Sequence, residues 1–424
     1  MHKNSKVVDF LALNFSYTIP IVFGNTIWLT TLATLNIIHF FCQRLNLKQN
    51  LYIAKIFATK IFAINKILNM NPFKFGTIVE NEFFTDRKEE SEILKQKLDS
   101  ENHVILISPR RLGKSSLVQK VVSELNQPYI KIDLQYVMNV SDFAAQLLKS
   151  IFKLYPYEKI KYTMGHFRVV PTISTNAVTG AMDVSFQSGN NSAIMLEDAM
   201  EMLEKVATSK SRLIVILDEF QEVTKIQEGF DRQLRSIMQQ QKGINYIMLG
   251  SQESLMEDIF EKKKSPFYHF GQMMRLSRIP RTDFSEYIMT RLPKIADNKA
   301  VSITNNILDF TKCHPYYTQQ LAAHVWELVN YQEVTDNVVS LAIEQLIKMH
   351  DLDFERLWIS MNRTDREILL QIATGENPLQ NRQKPTSTSF SAIKRLMRDG
   401  YIINIDKYEI EDPFFMQWII NKNL

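Results

Sequence analysis

"SPRRLGKSSL", residues 108–117, decides how this chain is read. Before it runs "HVILIS" (103–108), apolar and β-branched. After it, apolar residues fall at Leu117, Val118, Val121, Val122 and Leu125, the spacing of a helix. A buried parallel strand, a tight turn and a helix are therefore expected in that order. The turn fits G-x-x-x-x-G-K-[ST] except at its first position, where Ser108 stands. In that pattern Gly113 lets the backbone curl so that successive amides face one point. Lys114 then reaches the outer phosphates of a nucleotide, and the Ser115 hydroxyl can ligate magnesium. A helix N-terminus adds partial positive charge at the same spot. The expected nucleotide-binding residues are Ser108, Pro109, Arg110, Arg111, Leu112, Gly113, Lys114, Ser115 and Ser116. Arg110 and Arg111 either line the turn beside the triphosphate or splay toward a covering lid. A surface turn containing Gly-Lys-Ser by chance is the plainer alternative.

A magnesium nucleotide also needs an acid at the end of a neighbouring buried strand. "RLIVILDEFQEV" (212–223) has five apolar residues, Leu213 to Leu217, and then Asp218 and Glu219. Two adjacent carboxylates at a strand end are expensive without a cation nearby. Asp218 is expected to hold magnesium through water, and Glu219 to orient and deprotonate an attacking water. A solvated acidic turn is the alternative for this motif taken alone. A third strand, "NYIMLGS" (245–251), ends where Ser251 can touch the γ-phosphate or the lytic water; an ordinary strand-to-helix turn explains it as well. Lys114, Glu219 and Ser251 are the catalytic candidates, and Ser115 and Asp218 the metal-holding pair.

Composition fits this picture. The chain has 424 residues, 45% hydrophobic and 23% charged, enough for several domains and an ordinary globular balance. Cys42 and Cys313 stand far apart in no metal-ligand pattern, which favours a reducing, cytoplasmic setting. The net charge of +4 is uneven: residues 1–69 hold seven Lys/Arg against the single acid Asp9, leaving −2 for residues 70–424. The basic balance therefore gives no argument for nucleic acid.

The first 69 residues differ from the rest. From Phe10 to Gln43 no side chain is formally charged, a span long enough to cross a bilayer, although Pro20, Gly24 and several asparagines dilute it. Three readings stand side by side: a membrane anchor, an upstream extension of a protein that starts at Met70, and an ordinary helical extension. Membrane association is expected only on the first.

From "NPFKFGTIVENEFFTDRKEE" onward, residues 70–420 resemble the prokaryotic and archaeal-type ATPases of the STAND branch, relatives of the AAA+ and origin-recognition ATPases within the P-loop class. The resemblance rests on that opening together with "SPRRLGKSSL", "LDEFQE", "LGSQESLMEDIF", "KSPFYHFG", "CHPYYTQQLA" and "YEIEDPFFMQWI". It implies an α/β fold: a P-loop NTPase parallel-sheet core (70–280), an all-α lid (281–359) and a C-terminal winged helix (360–424). It implies ATP and Mg²⁺ as ligands and ATP hydrolysis as activity. Arg87 and Glu90 match a motif that packs near the adenine, with Phe83 and Phe84 as an apolar wall; plain N-terminal packing explains them equally. His314 and Pro315 are implied as nucleotide sensors from the lid, although Cys313 stands where relatives usually have glycine. Where many relatives carry an arginine, this chain has "HFGQ" (269–272), so self-association through an arginine finger is open. Arg275, Arg278 and Arg281 are the nearest substitutes.

The remaining stretches carry less chemistry. "YIKIDL" (129–134) reads as a strand, and "FRVV" and "MDVSFQ" as an inserted β-hairpin. Residues 282–351 have helical spacing. In 360–424 the order is helix, helix, short hairpin, with Lys394, Arg395 and Arg398 on the second helix, a place from which winged helices read DNA. Nine Lys/Arg against eight acids is a weak excess for tracking phosphates. An internal regulatory role for this segment is therefore favoured over DNA binding.

Overall fold

A computed structural model describes residues 70–79, 83–100, 102–155, 164–175, 182–187, 191–207, 212–292, 297–331, 337–380, 386–405 and 407–422. The chain divides into two compact units, Met1–Met70 and Asn71–Leu424, of which the second is considered from here. The readings of residues 1–69 fall outside the described residues, within which no helix is long and apolar enough to cross a membrane.

Five strands form one parallel sheet in the order β2-β5-β6-β1-β7: β1 Val104–Ile107, β2 Tyr129–Asp133, β5 Leu213–Asp218, β6 Ile244–Gly250 and β7 Gln272–Arg275. The central strands are buried along their whole length and largely apolar because helices cover both faces. Alternate residues sort to the two sides. Val104, Leu106, Ile214 and Ile216 pack on α1 (Lys88–Asp99) and α2 (Lys114–Leu125). Ile105, Ile107, Val215 and Leu217 pack on α3 (Val140–Leu154), α4 (Ser192–Val206), α6 (Phe230–Met238) and α7 (Glu253–Phe260). Between strand and helix on this side, α5 (Val223–Ile226) is a single turn.

Strand order sets the site. β6 lies between β1, which feeds the glycine-lysine turn, and β5, which ends in Asp218. The end of β6 therefore falls between the two motifs.

One expectation is corrected, and one strand is added. The hairpin strand at "FRVV" does not form: β3 is Thr172–Thr175, pairing antiparallel with β4, Met182–Ser185. The amides of Arg168 and Val169 instead donate to the buried Asp198 carboxylate, at 2.8 and 3.1 Å, and so cannot join a ladder. β7, not expected from the sequence, adds the far edge of the sheet beside β1.

Beyond the sheet come α8 (Arg281–Met289), α9 (Asp297–Thr311), α10 (Pro315–Tyr331), α11 (Val338–Met349), α12 (Asp351–Ser360), α13 (Arg363–Ala373) and α14 (Thr386–Arg398). An antiparallel pair, β8 (Ile402–Asn404) and β9 (Tyr408–Ile410), and α15 (Pro413–Asn421) complete the described chain. The last helix starts as its sequence dictates: Asp412 accepts from the amides of Phe414 and Phe415, and Pro413 needs no donor at the first position. One apolar core runs through all of this region, from Ile279 and Phe284 to Trp418 and Ile419, and takes in Phe73 from the start of the unit.

Candidate functional site

The turn after β1 is built by two left-handed residues, Arg111 (φ 63°) and Gly113 (φ 92°). A Cβ on Gly113 would meet nothing within 4 Å, so the backbone conformation, not crowding, calls for glycine there. Ser108, where the general pattern has glycine, is not left-handed and is fully buried, so the departure carries no backbone strain. Lys114 is buried, and its Nζ donates to the Ser108 carbonyl at 2.7 Å and the Pro109 carbonyl at 3.0 Å. Burial lowers its pKa to about 8, against the opposing pull of Glu219 and Asp218.

The two carboxylates arrive from β5. Asp218 Oδ2 lies 3.4 Å from Ser115 Oγ and 2.7 Å from Lys131 Nζ, while Oδ1 accepts from the Glu219 amide. Glu219 is left-handed (φ 49°), which turns its side chain back toward β6. There Glu219 Oε2 accepts from Ser251 Oγ at 2.7 Å and from Gln221 Nε2. Both of these donors fall on Oε2. Among the described residues no three His, Cys, Asp or Glu side chains are grouped to hold a metal alone. Ser115 and Asp218 do suit a magnesium ion whose other ligands are phosphate and water oxygens, since both offer hard oxygen on one side of the turn.

These groups line a single cavity of about 700 Å³, floored by the turn and by Asp133, Asp218, Glu219 and Ser251. Its apolar wall is Phe83, Phe84, Ile279, Phe284 and Tyr316, joined by Pro315 and Gln319 of α10. The residues singled out from sequence divide as follows. Ser108, Lys114, Ser115, Asp218, Glu219 and Ser251 meet as described, and Leu112 is buried under the turn. Ser116 Oγ accepts from the Val79 amide, tying the opening segment across the turn. Arg110 lines the cavity and has no ion-pair partner among the described residues, whereas Pro109 lines a smaller neighbouring pocket with Ser251 and Glu253. Arg111 turns to α10: it stacks on Tyr316, 4.5 Å from the ring centre, and donates to the Tyr317 hydroxyl, which donates to Glu411 at 2.8 Å.

Arg87, buried and left-handed, ties elements together. It pairs with Glu90 at 2.6 Å and donates to the carbonyls of Leu112 and Ser277. Pro315 lines the cavity, whereas His314 is buried 3.4 Å from Glu411, and burial lowers its pKa. The three arginines considered as fingers are each engaged: Arg275 with Glu257, Arg278 with Glu409, and Arg281 with Asp309. Sequence reasoning missed Lys131, Asp133 and Gln221. The signal for Lys131 was present: a lysine within the otherwise apolar "YIKID", two residues from an acid.

Comparison with known proteins places this geometry. No curated protein sequence matches the chain. A Walker-type ATPase of Pyrococcus abyssi is similar in structure, at 18% identity and a TM-score of 0.60, over 82% of this chain and 99% of that one. The ORC2 protein of Aeropyrum pernix aligns at 14% identity and a TM-score of 0.44, over 83% and 98%. The ORC1 protein of the same organism, solved in complex with DNA, aligns at 12% identity and 0.44, over 81% and 96%. Residues 96–257 match the AAA domain family, and the chain around them has the α/β fold of a P-loop NTPase, a parallel five-stranded sheet followed by a helical C-terminal region.

Proposed function

We propose that this protein is an ATP-binding, magnesium-dependent ATPase of the STAND branch, whose hydrolysis resets a switch between the sheet, the helical lid (281–359) and a terminal winged helix (360–424). The observation that carries this reading is the convergence, in one cavity, of Lys114, the Ser115–Asp218 pair, and Glu219 held by Ser251. Lys114 and the amides around Gly113 bind the triphosphate. Ser115 and Asp218 hold magnesium, which neutralises charge developing on the phosphates. Glu219, fixed through Oε2, accepts the proton of the attacking water. Arg111 couples the turn to the lid and to Glu411 through Tyr317, which gives the switch a physical connection.

DNA binding through the terminal segment is the second reading, and the side-chain pairing argues against it. Arg395 on α14 is bidentate to the buried Asp365, at 2.5 and 3.0 Å, and Arg398 pairs with Asp399. Only Lys394, over the Phe390 ring, is left of the three. An internal regulatory role for the segment fits better.

Lys114→Ala is expected to abolish nucleotide binding in a titration with a fluorescent ATP analogue. Glu219→Gln is expected to keep binding while phosphate release slows by about 10²–10⁴-fold, the scale of a lost general base. Hydrolysis by Glu219→Gln at the parental rate would remove that role. Salt-dependent binding of duplex DNA by the full chain would favour the second reading.

A further inference from the structure

β2 is an edge strand reading Tyr-Ile-Lys-Ile-Asp, and its pleat puts Lys131 and Asp133 on one face. The parallel register sets Asp133 opposite Asp218 and Lys131 opposite Ile216, so Lys131 lies on the face that α2 covers. An edge position allows a lysine there, because its ammonium stays half exposed while the stem follows the sheet. That ammonium reaches past the strand end to Asp218 Oδ2, at 2.7 Å. This is the same oxygen that faces Ser115 Oγ, and the other oxygen is already bonded to the Glu219 amide. The one carboxylate oxygen open toward the Ser115 side is therefore paired with a cation from the protein itself.

We propose that Lys131 is the resident counter-cation of Asp218 and a positioning residue for magnesium, which must displace it to reach that carboxylate. The proposal rests on the ATP–magnesium reading above. A lysine ammonium and a divalent ion repel each other and would compete for the same Asp218 oxygen, whether the ion met it directly or through a water, so on this proposal Lys131 withdraws as the metal enters. Without Lys131, the three acids Asp133, Asp218 and Glu219 would lose the one cation paired directly with Asp218, keep only Lys114 and the turn arginines Arg110 and Arg111 along the cavity lining, and attract a divalent ion more strongly before any nucleotide arrived. With Lys131 in place, metal entry is favoured when nucleotide brings further ligands and charge.

The test uses the full chain, as parent, Lys131→Met and Lys131→Arg, with a non-hydrolysable ATP analogue at saturation and thermal unfolding followed against magnesium concentration. Lys131→Met is expected to lower the half-maximal magnesium concentration by roughly threefold or more, the scale of a half-exposed ion pair, and Lys131→Arg to stay near the parent. Manganese binding without nucleotide, read by electron paramagnetic resonance, is expected to strengthen in Lys131→Met alone. An unchanged or higher magnesium requirement in Lys131→Met overturns the proposal. A parent that shows no magnesium-dependent stabilisation with the analogue overturns the ATP–magnesium reading itself, a result separable from the first. Lys131→Gln, which removes the charge but keeps a polar side chain at this partly exposed position, decides the same question if Lys131→Met does not fold.

Discussion

At the strand ends of the sheet, each functional side chain stands where an apolar run stops: Lys114 after β1, Asp218 at the end of β5, Ser251 after β6. At the far side of the cavity, the groups that close on the turn come from elements with no such marker. Tyr317 lies inside α10, and Glu409 and Glu411 lie in and just after a three-residue strand. In the sheet, burial fixes position and local sequence fixes chemistry. In the helical half, long-range packing fixes both. Arg111 and Arg278 are the residues that cross from one regime to the other.

Breaking the helical side should therefore cost stability first. Tyr317→Ala removes a buried ring that carries both Arg111 and Glu411, and is expected to lower unfolding free energy by about 3–5 kcal/mol in denaturant titration. Asp365→Ala should cost about 1.5–3 kcal/mol, since it removes a charged partner from Arg395 while the half-exposed guanidinium can turn to water.

The sheet side should respond to pH. Lys114 titrates near 8 in the folded protein against 10.5 ordinarily, and only its charged form pairs with phosphate. Nucleotide affinity is expected to fall as pH rises through about 8, by at most about tenfold per pH unit. Stability of the nucleotide-free protein moves the other way between about 8 and 10.5, because the unfolded lysine binds the proton more tightly there. A flat affinity profile from pH 7 to 9.5 would remove Lys114 from phosphate contact. Smallest of all, Tyr317→Phe keeps the ring and deletes the hydroxyl, at about 0.5–1.5 kcal/mol. It sharpens the contrast if nucleotide affinity shifts while the stability loss stays that small.

The same division explains what the sequence made legible. β1, β5 and β6 read correctly because strands covered on both faces carry near-continuous apolar runs. β7 did not, since "QMMR" is short, polar at both ends and paired on only one side. "FRVV" misled because the Asp198 carboxylate, from a helix some thirty residues on, takes the amides that a strand would use. Lys131 and Gln221 were missed for a related reason. Each acts through a side chain whose target is set by strand order or by a left-handed turn, neither of which periodicity reports. Arg87 was read either as a neighbour of the base or as plain N-terminal packing; it lines the cavity, and its guanidinium pairs with Glu90 and donates to the carbonyls of Leu112 and Ser277.

Leu276 belongs to the sheet's core and Ile279 to the core of the helical half, with only Ser277 and Arg278 between them. The helices of 281–359 and the terminal segment share that second core without a break, so on the proposed switch any shift of one against the other must repack it. The two-residue neck is clasped from both sides, Ser277 by Arg87 and Arg278 by Glu409, so a swing of the helical half against the sheet would have to loosen both grips.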